Sequence, residues 1–175
     1  MLKTILIVIA IAIAGVIGLA SLQPDTLVVE RSIKIKAPAA TVFPLVNDFN
    51  NWSIWSPWAH KDAAMKATIS GAKSGLGAVY EWQGNQDVGE GRMEIVDMSP
   101  SSNVAIDLHF LKPFETNNKV NFIFVEDGAF TEVTWRMQGP MPFMSKLFAV
   151  FVSMDEMLGN DFETGLANLK SAAES

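Results

Sequence analysis

The sequence predicts an α+β fold: a curved antiparallel sheet of about seven strands wrapped on one long C-terminal helix. Three observations lead there. From Leu27 onward most segments are short runs with apolar residues at every second position, separated by Gly, Asn, Asp and Pro turns. Near the end the period changes, and Phe148, Phe151, Val152, Leu158, Phe162, Leu166 and Leu169 recur at steps of three and four. The connections between strands are short, which favours antiparallel neighbours.

In chain order, the first segment is the most apolar. Thr4 to Leu22 carries no charge, and Ile5 to Ala14 is almost entirely Ile, Leu, Val and Ala. A membrane-spanning helix needs about 20 such residues. Lys3 precedes the run, and Asp25 and Glu30 are the first acids after it, so positive charge inside puts the N-terminus in the cytoplasm and the domain outside. We therefore expect a single-pass cytoplasmic-membrane anchor over 1–22, a linker over 23–26 and one domain over 27–175. The rival is a signal sequence, since Gly18-Leu19-Ala20 offers small residues near its end.

Leu27 to Lys36 reads as a half-buried strand with Val29, Arg31, Ile33 and Ile35 on one face. Ala37-Pro38-Ala39 ends it. Thr41 to Val46 predicts a short helix, and Asn47-Asp48 stops it and can cap a second one over Phe49 to Ile54. Trp52, Trp55 and Trp58 follow at three-residue spacing, with Pro57 breaking the helix. Strands are expected at Ala67–Ile69, Ala78–Gln83 (Ala78, Tyr80 and Trp82 on one face), Gly89–Met98, Val104–Leu111, Lys119–Glu126 and Phe130–Met137. The closing helix is expected over Ser145 to Ala172, about 28 residues and roughly 40 Å long. It is the element able to cover one face of the sheet.

Composition excludes several functions. With 13 basic against 19 acidic residues and no basic run, nothing favours a nucleic-acid partner. There is no cysteine, and the two histidines, His60 and His109, lie far apart, so no metal-ligand spacing exists and no cofactor is called for. No Gly-x-Ser-x-Gly occurs, and Gly71 to Gly77 lacks the ending of a phosphate loop. Five Trp and eleven Phe against one Tyr suit a core or an apolar pocket equally.

Asp155 interrupts the apolar stripe of the last helix. A carboxylate there is either paired with Arg31, Arg92 or Arg136, or it is an acid or base with a raised pKa facing a cavity. It is the candidate catalytic group. Glu81 and Glu94 lie on strands and are alternatives if they face inward.

The order of elements resembles the helix-grip fold of the START-like or SRPBCC superfamily, and most nearly its polyketide cyclase/dehydrase-like members. The likeness runs from about Leu27 to Lys170. It rests on Arg31-Ser32-Ile33 through Ala37-Pro38 and Val42-Phe43, on Asn47-Asp48-Phe49-Asn50-Asn51-Trp52 and Trp55-Ser56-Pro57-Trp58, on Gly75 to Gly84, on Lys112-Pro113-Phe114-Glu115, and on Met154-Asp155 with Asp161-Phe162-Glu163-Gly165-Leu166. The resemblance implies a deep apolar cavity between sheet and helix, entered near the short helices and hairpin loops. The expected ligand-contacting residues are Trp55, Trp58, Trp82, Trp135, Phe151 and Asp155. Three functions stay open: a membrane-tethered binder of a hydrophobic small molecule or lipid, a cyclase/dehydrase-like enzyme on such a ligand, or a filled-core domain acting through protein contact.

Overall fold

A computed structural model describes residues 1–175. An apolar helix α1 (Leu2–Ser21) precedes strand β1 (Thr26–Ile35). Then come α2 (Ala39–Asn47), a 3₁₀ turn, α3 (Trp52–Trp55) and a second 3₁₀ turn, Pro57–His60. Six strands follow: β2 (Lys66–Gly71), β3 (Ala78–Gln83), β4 (Glu90–Ser99), β5 (Asn103–Lys112), β6 (Thr116–Asp127) and β7 (Phe130–Pro140). Helices α4 (Phe143–Ala149) and α5 (Met154–Ala173) end the chain.

The seven strands form one antiparallel sheet in the order β1-β7-β6-β5-β4-β3-β2. Only β1 leaves the meander, crossing to pair with β7, with Thr26 opposite Pro140 and Ile35 opposite Thr131. The alternation predicted from sequence sets the faces. Val29, Ile95, Ile106, Phe122, Val133 and Trp135 are buried on the inner face. Irregularities at Glu90/Gly91 and Ile95/Asp97 bend β4, and bulges of this kind add the local twist that curls a sheet. Helix α5 lies in the resulting hollow, burying Phe162, Leu166 and Leu169.

The fold is the helix grip, but the closing helix is not continuous. It breaks between Ala149 and Met154. The reason is a helix start written into the sequence: the Ser153 hydroxyl accepts from the Glu156 backbone N–H at 3.2 Å, and Asp155 and Glu156 occupy the first turn. Ser-x-x-Glu with acids at a helix N-terminus is a capping signal. A new helix starts here with its own phase, so residues before and after the break do not share one stripe.

Of the two settings expected for Asp155, the paired one is observed: in the first turn of α5 its side chain is 54% exposed and bound to Arg31 of β1 at 3.0 Å, so it is not an unpaired group facing the cavity. The same guanidinium donates through Nε to Glu163 at 2.8 Å. Of the three arginines considered, Arg31 is the partner, and two acids about two turns apart on α5 clamp it to the edge strand. Glu81 and Glu94 lie on the outer face with Arg92, which reaches Glu94 at 2.7 Å, so neither acid points inward.

Close approach of α5 to the sheet is made possible by Gly165. A Cβ at that position would come within 2.8 Å of the Trp135 ring and 3.1 Å of Pro57. Alanine has the better helix propensity, but both neighbours are rigid and overpacking costs ~1–3 kcal/mol. Gly165→Ala is therefore expected to lower stability in chemical denaturation. Equal or higher stability would show that α5 is seated less closely.

Candidate functional site

The short helices are held over the open side of the sheet by indole hydrogen bonds. The Trp52 N–H donates to the Val46 carbonyl and the Trp55 N–H to the Leu45 carbonyl, each at 2.8 Å. Asn168 of α5 donates to the Trp55 carbonyl at 3.2 Å. Trp52 and Trp55 pack with ring centroids 4.9 Å apart, as their spacing on one helix face requires. Pro57 then turns the chain, so Trp58 points elsewhere, under Lys61, which sits 5.8 Å from the ring and binds Asp161 of α5 at 2.6 Å.

Between these helices, α5 and the sheet lies a cavity of about 500 Å³. Eighteen of its 26 lining residues are hydrophobic, so the wall suits an apolar ligand. The sheet contributes Tyr80, Trp82, Met93, Leu108, Phe110, Val120, Trp135 and Met137. The helical side contributes Phe49, Trp52, Trp58, Leu158 and Phe162. Trp82 lies across β4 because Gly91 has no side chain; a Cβ there would fall 2.5 Å from the indole. Its N–H donates to the Val88 carbonyl at 2.9 Å, tying the β3–β4 hairpin to the rim. Asn50, Gln86, Asp87 and Lys112 are exposed polar members of the lining and mark the mouth.

The floor is aromatic. Phe162 stacks on Trp135 with centroids 4.1 Å apart and planes 7° from parallel. Phe122, Trp55 and Trp58 surround the same indole at 4.9, 5.4 and 5.7 Å. The Trp135 N–H is the only buried side-chain polar atom without a hydrogen-bond partner. Its neighbours offer ring faces, which are weak acceptors.

The structure brings together three of the six residues predicted to contact a ligand: Trp58, Trp82 and Trp135 line the cavity. The other three are elsewhere. Trp55 is fully buried beneath the lining, its indole used by Leu45. Phe151 is 72% exposed in the break before α5. Asp155 is taken by Arg31 outside the cavity. Lining residues that sequence reading did not name as ligand contacts include Leu158 and Phe162, one turn apart on α5, and Tyr80. The alternation of β3 had placed Tyr80 beside Trp82, so that signal was available.

Tyr80 is the titratable group set deepest in the wall. Burial raises its phenol above the ordinary value of 10.0, and no hydrogen bond to the protein contributes. The phenol is thus held protonated, as a donor, across the neutral range. No acidic partner converges on it: Asp87 and Lys112 are at the mouth, and His109 pairs with Glu115 at 3.1 Å on the outer face. No cluster of three His, Asp or Glu residues has the geometry to hold a metal.

The comparisons with known proteins agree with this architecture. A family model described as polyketide cyclase / dehydrase and lipid transport matches residues 26–174. Among solved structures, the di-domain ARO/CYC BexL from the BE-7585A biosynthetic pathway is similar at 15% identity and TM-score 0.66, over 91% of this chain and 53% of that one. CV1439 from Chromobacterium violaceum is similar at 12% identity and TM-score 0.60, over 87% of this chain and 99% of that one. A Thermobifida fusca protein is similar at 22% identity and TM-score 0.61, over 83% and 92%. At these identities the likeness carries the fold. Among curated proteins, none matches.

The two tryptophans on either side of Pro57, Trp55 and Trp58, are expected to separate in experiment. Trp55→Ala removes a fully buried side chain and should cost ~3–5 kcal/mol of stability. Trp58→Ala should leave more of the stability and weaken binding of an apolar fluorescent probe. The reverse pattern would move the ligand site away from the cavity. Tyr80 is the only tyrosine, so phenolate absorbance reports it alone. Its midpoint should lie above ~10, the unfolded value. With the folded pKa raised, its stability contribution is fully present below that value and is lost as pH rises through the folded pKa. Tyr80→Phe should remove this alkaline loss, and an ordinary midpoint in the absorbance titration would show a solvated phenol.

Proposed function

The chain belongs to the polyketide cyclase / dehydrase and lipid transport family, and from that premise we propose that it is a membrane-tethered binding module for a hydrophobic small molecule or lipid. The cavity carries this reading. Its wall is mostly apolar, and it contains one protonated phenol rather than an acid–base pair. A ligand with an apolar body and a single acceptor, such as a carbonyl or ester oxygen, fits both features, with Tyr80 donating to the acceptor. Helix α1 supports the tether: it is 20 residues long, uncharged after Lys3, and only Ala20 in it is buried.

A cyclase-like role on such a ligand is the second reading. It is favoured by the family and by Tyr80, a donor that could polarise a carbonyl from an otherwise apolar wall. A filled core acting only through protein contact has no support in a fold that keeps about 500 Å³ open.

Native mass spectrometry of the detergent-extracted full chain, with lipid extraction of the same preparation, is the direct test. A co-purifying apolar molecule that is lost on Trp58→Ala is the expected result. A chain that carries nothing and takes up no apolar probe would overturn the binding reading. Turnover of an added polyketide-like substrate, abolished in Tyr80→Phe, would favour the enzyme.

A further inference from the structure

The register of the sheet places three features at one end of the strands. Thr26, just after the anchor, lies opposite Pro140, just before α4. Phe110 lies opposite Thr116, Glu90 opposite Lys112, and Gln83 opposite Glu90. The β3–β4 and β5–β6 connections, which with the end of β5 supply Gln86, Asp87, Lys112 and Pro113 to the cavity mouth, are thus at the same end of the strands as α1 and α4.

Helix α4 is unusual for a protein surface. Phe143, Met144, Phe148 and Phe151 along it and just beyond are exposed, and its one charge, Lys146, is bound by Asp25 of the linker. Phe143 and Leu147 share an apolar groove with Ala12, Ile13, Val16 and Ile17 of α1. Ala12 is roughly 14 Å along α1 from Ser21, at 1.5 Å per residue. A hydrocarbon core is about 30 Å thick. If α1 spans it, the groove lies within hydrocarbon, and whatever medium surrounds α1 also covers α4.

We infer that α4 and the turn after it form a bilayer-docking face, which inserts Phe143, Met144, Phe148 and Phe151 into the lipid and seats the cavity mouth at the membrane surface. This rests on the reading of α1 as a membrane anchor. The docking is apolar: the chain's net charge of −6 offers no attraction to anionic lipid, and the exposed side chains are Phe and Met. A lipophilic ligand then passes between leaflet and cavity along the mouth without crossing bulk water.

The chain has no cysteine, so single cysteines can carry an environment-sensitive fluorophore in the full-length protein. Phe148→Cys and Phe151→Cys report the docking face. Ile9→Cys reports the anchor, and Val125→Cys, exposed near the opposite end of the strands, reports water. Each labelled protein is reconstituted into phosphatidylcholine vesicles with nitroxide-bearing acyl chains and also titrated with aqueous iodide. We expect labels at 148 and 151 to be quenched by the lipid nitroxide several-fold more than the label at 125, at low and high salt alike. Iodide access at 148 and 151 equal to that at 125, with the label at 9 still in lipid, would overturn the docking face and leave the tether intact. Labels at 148 and 151 shielded from both quenchers would mean that protein covers the face, as in a second copy, and would equally overturn it. A label at 9 exposed to iodide would remove the anchor itself, and docking with it.

Discussion

The packing of Phe162 against Trp135 fixes where everything else lies. It is the closest and most nearly parallel aromatic pair in the molecule, at 4.1 Å and 7°, and it joins the middle of α5 to the inner face of β7. On the C-terminal side of this contact, Leu166 and Leu169 are buried in the hollow. On the N-terminal side, α5 continues through Leu158 along the cavity wall, and the space between helix and sheet stays open. One stacked pair therefore divides a structural half from a cavity half. Gly165 lets the helix approach closely enough for the stack to form, while Arg31, bound to Asp155 and Glu163, holds the N-terminal half against β1. Lys61, bound to Asp161, ties the same half of the helix to the turn that carries Trp58.

Charge is arranged to keep ionised groups off the inner wall of the cavity, with Asp87 and Lys112 confined to its mouth. Arg92 with Glu94, Lys119 with Asp107, and His109 with Glu115 all meet on the outer face of the sheet. These exposed pairs contribute little to stability. Their placement follows from strand alternation: each outward charge fixes an inward neighbour of the opposite character, so Arg92 and Glu94 flank inward Met93, and Asp107 and His109 flank inward Leu108. The phenol of Tyr80 is the exception on the inside. It is compatible with an apolar wall because it remains neutral there, which a carboxylate could do only at a cost of several kcal/mol or by taking up a proton.

The strands were legible because a period of two is local and each turn carried its own Gly, Asn, Asp or Pro. The same reasoning failed at the last helix. Phe148 and Phe151 continue the three-and-four spacing of Phe162 and Leu166, yet Ser153 caps a new helix and resets the phase. Ser153-Met154-Asp155-Glu156 carried that signal, but the longer apolar pattern masked it. Asp155 keeps its phase with Phe162 and takes Arg31, one of its expected partners, but it sits in the first turn of α5, where the side chain stays half exposed. Within the tryptophan cluster, spacing could not distinguish Trp55 from Trp58. Their fates differ because Pro57 turns the chain and the Leu45 carbonyl accepts the Trp55 indole, and the second of these is a contact across ten residues that no local pattern contains.

Under the proposed tether, Phe148 and Phe151, which sequence reading assigned to the sheet-facing stripe, have a second solvent available to them. A soluble domain has only one place for such residues, its core. A domain tied to a bilayer has two, and in sequence they look alike. Phe162 and Phe148 are the same side chain fourteen positions apart, one 2% exposed and the other 48%. What separates them is the neighbour each helix has: α5 packs on the sheet, whereas α4 packs on α1. An exposed Phe and Met surface beside a long helix that carries no charge after Lys3 is costly in water and favourable in lipid. On this view, the break at Val150–Ser153 has a physical role. It ends a helix suited to hydrocarbon and begins one suited to a protein core, at the end of the strands where the cavity opens.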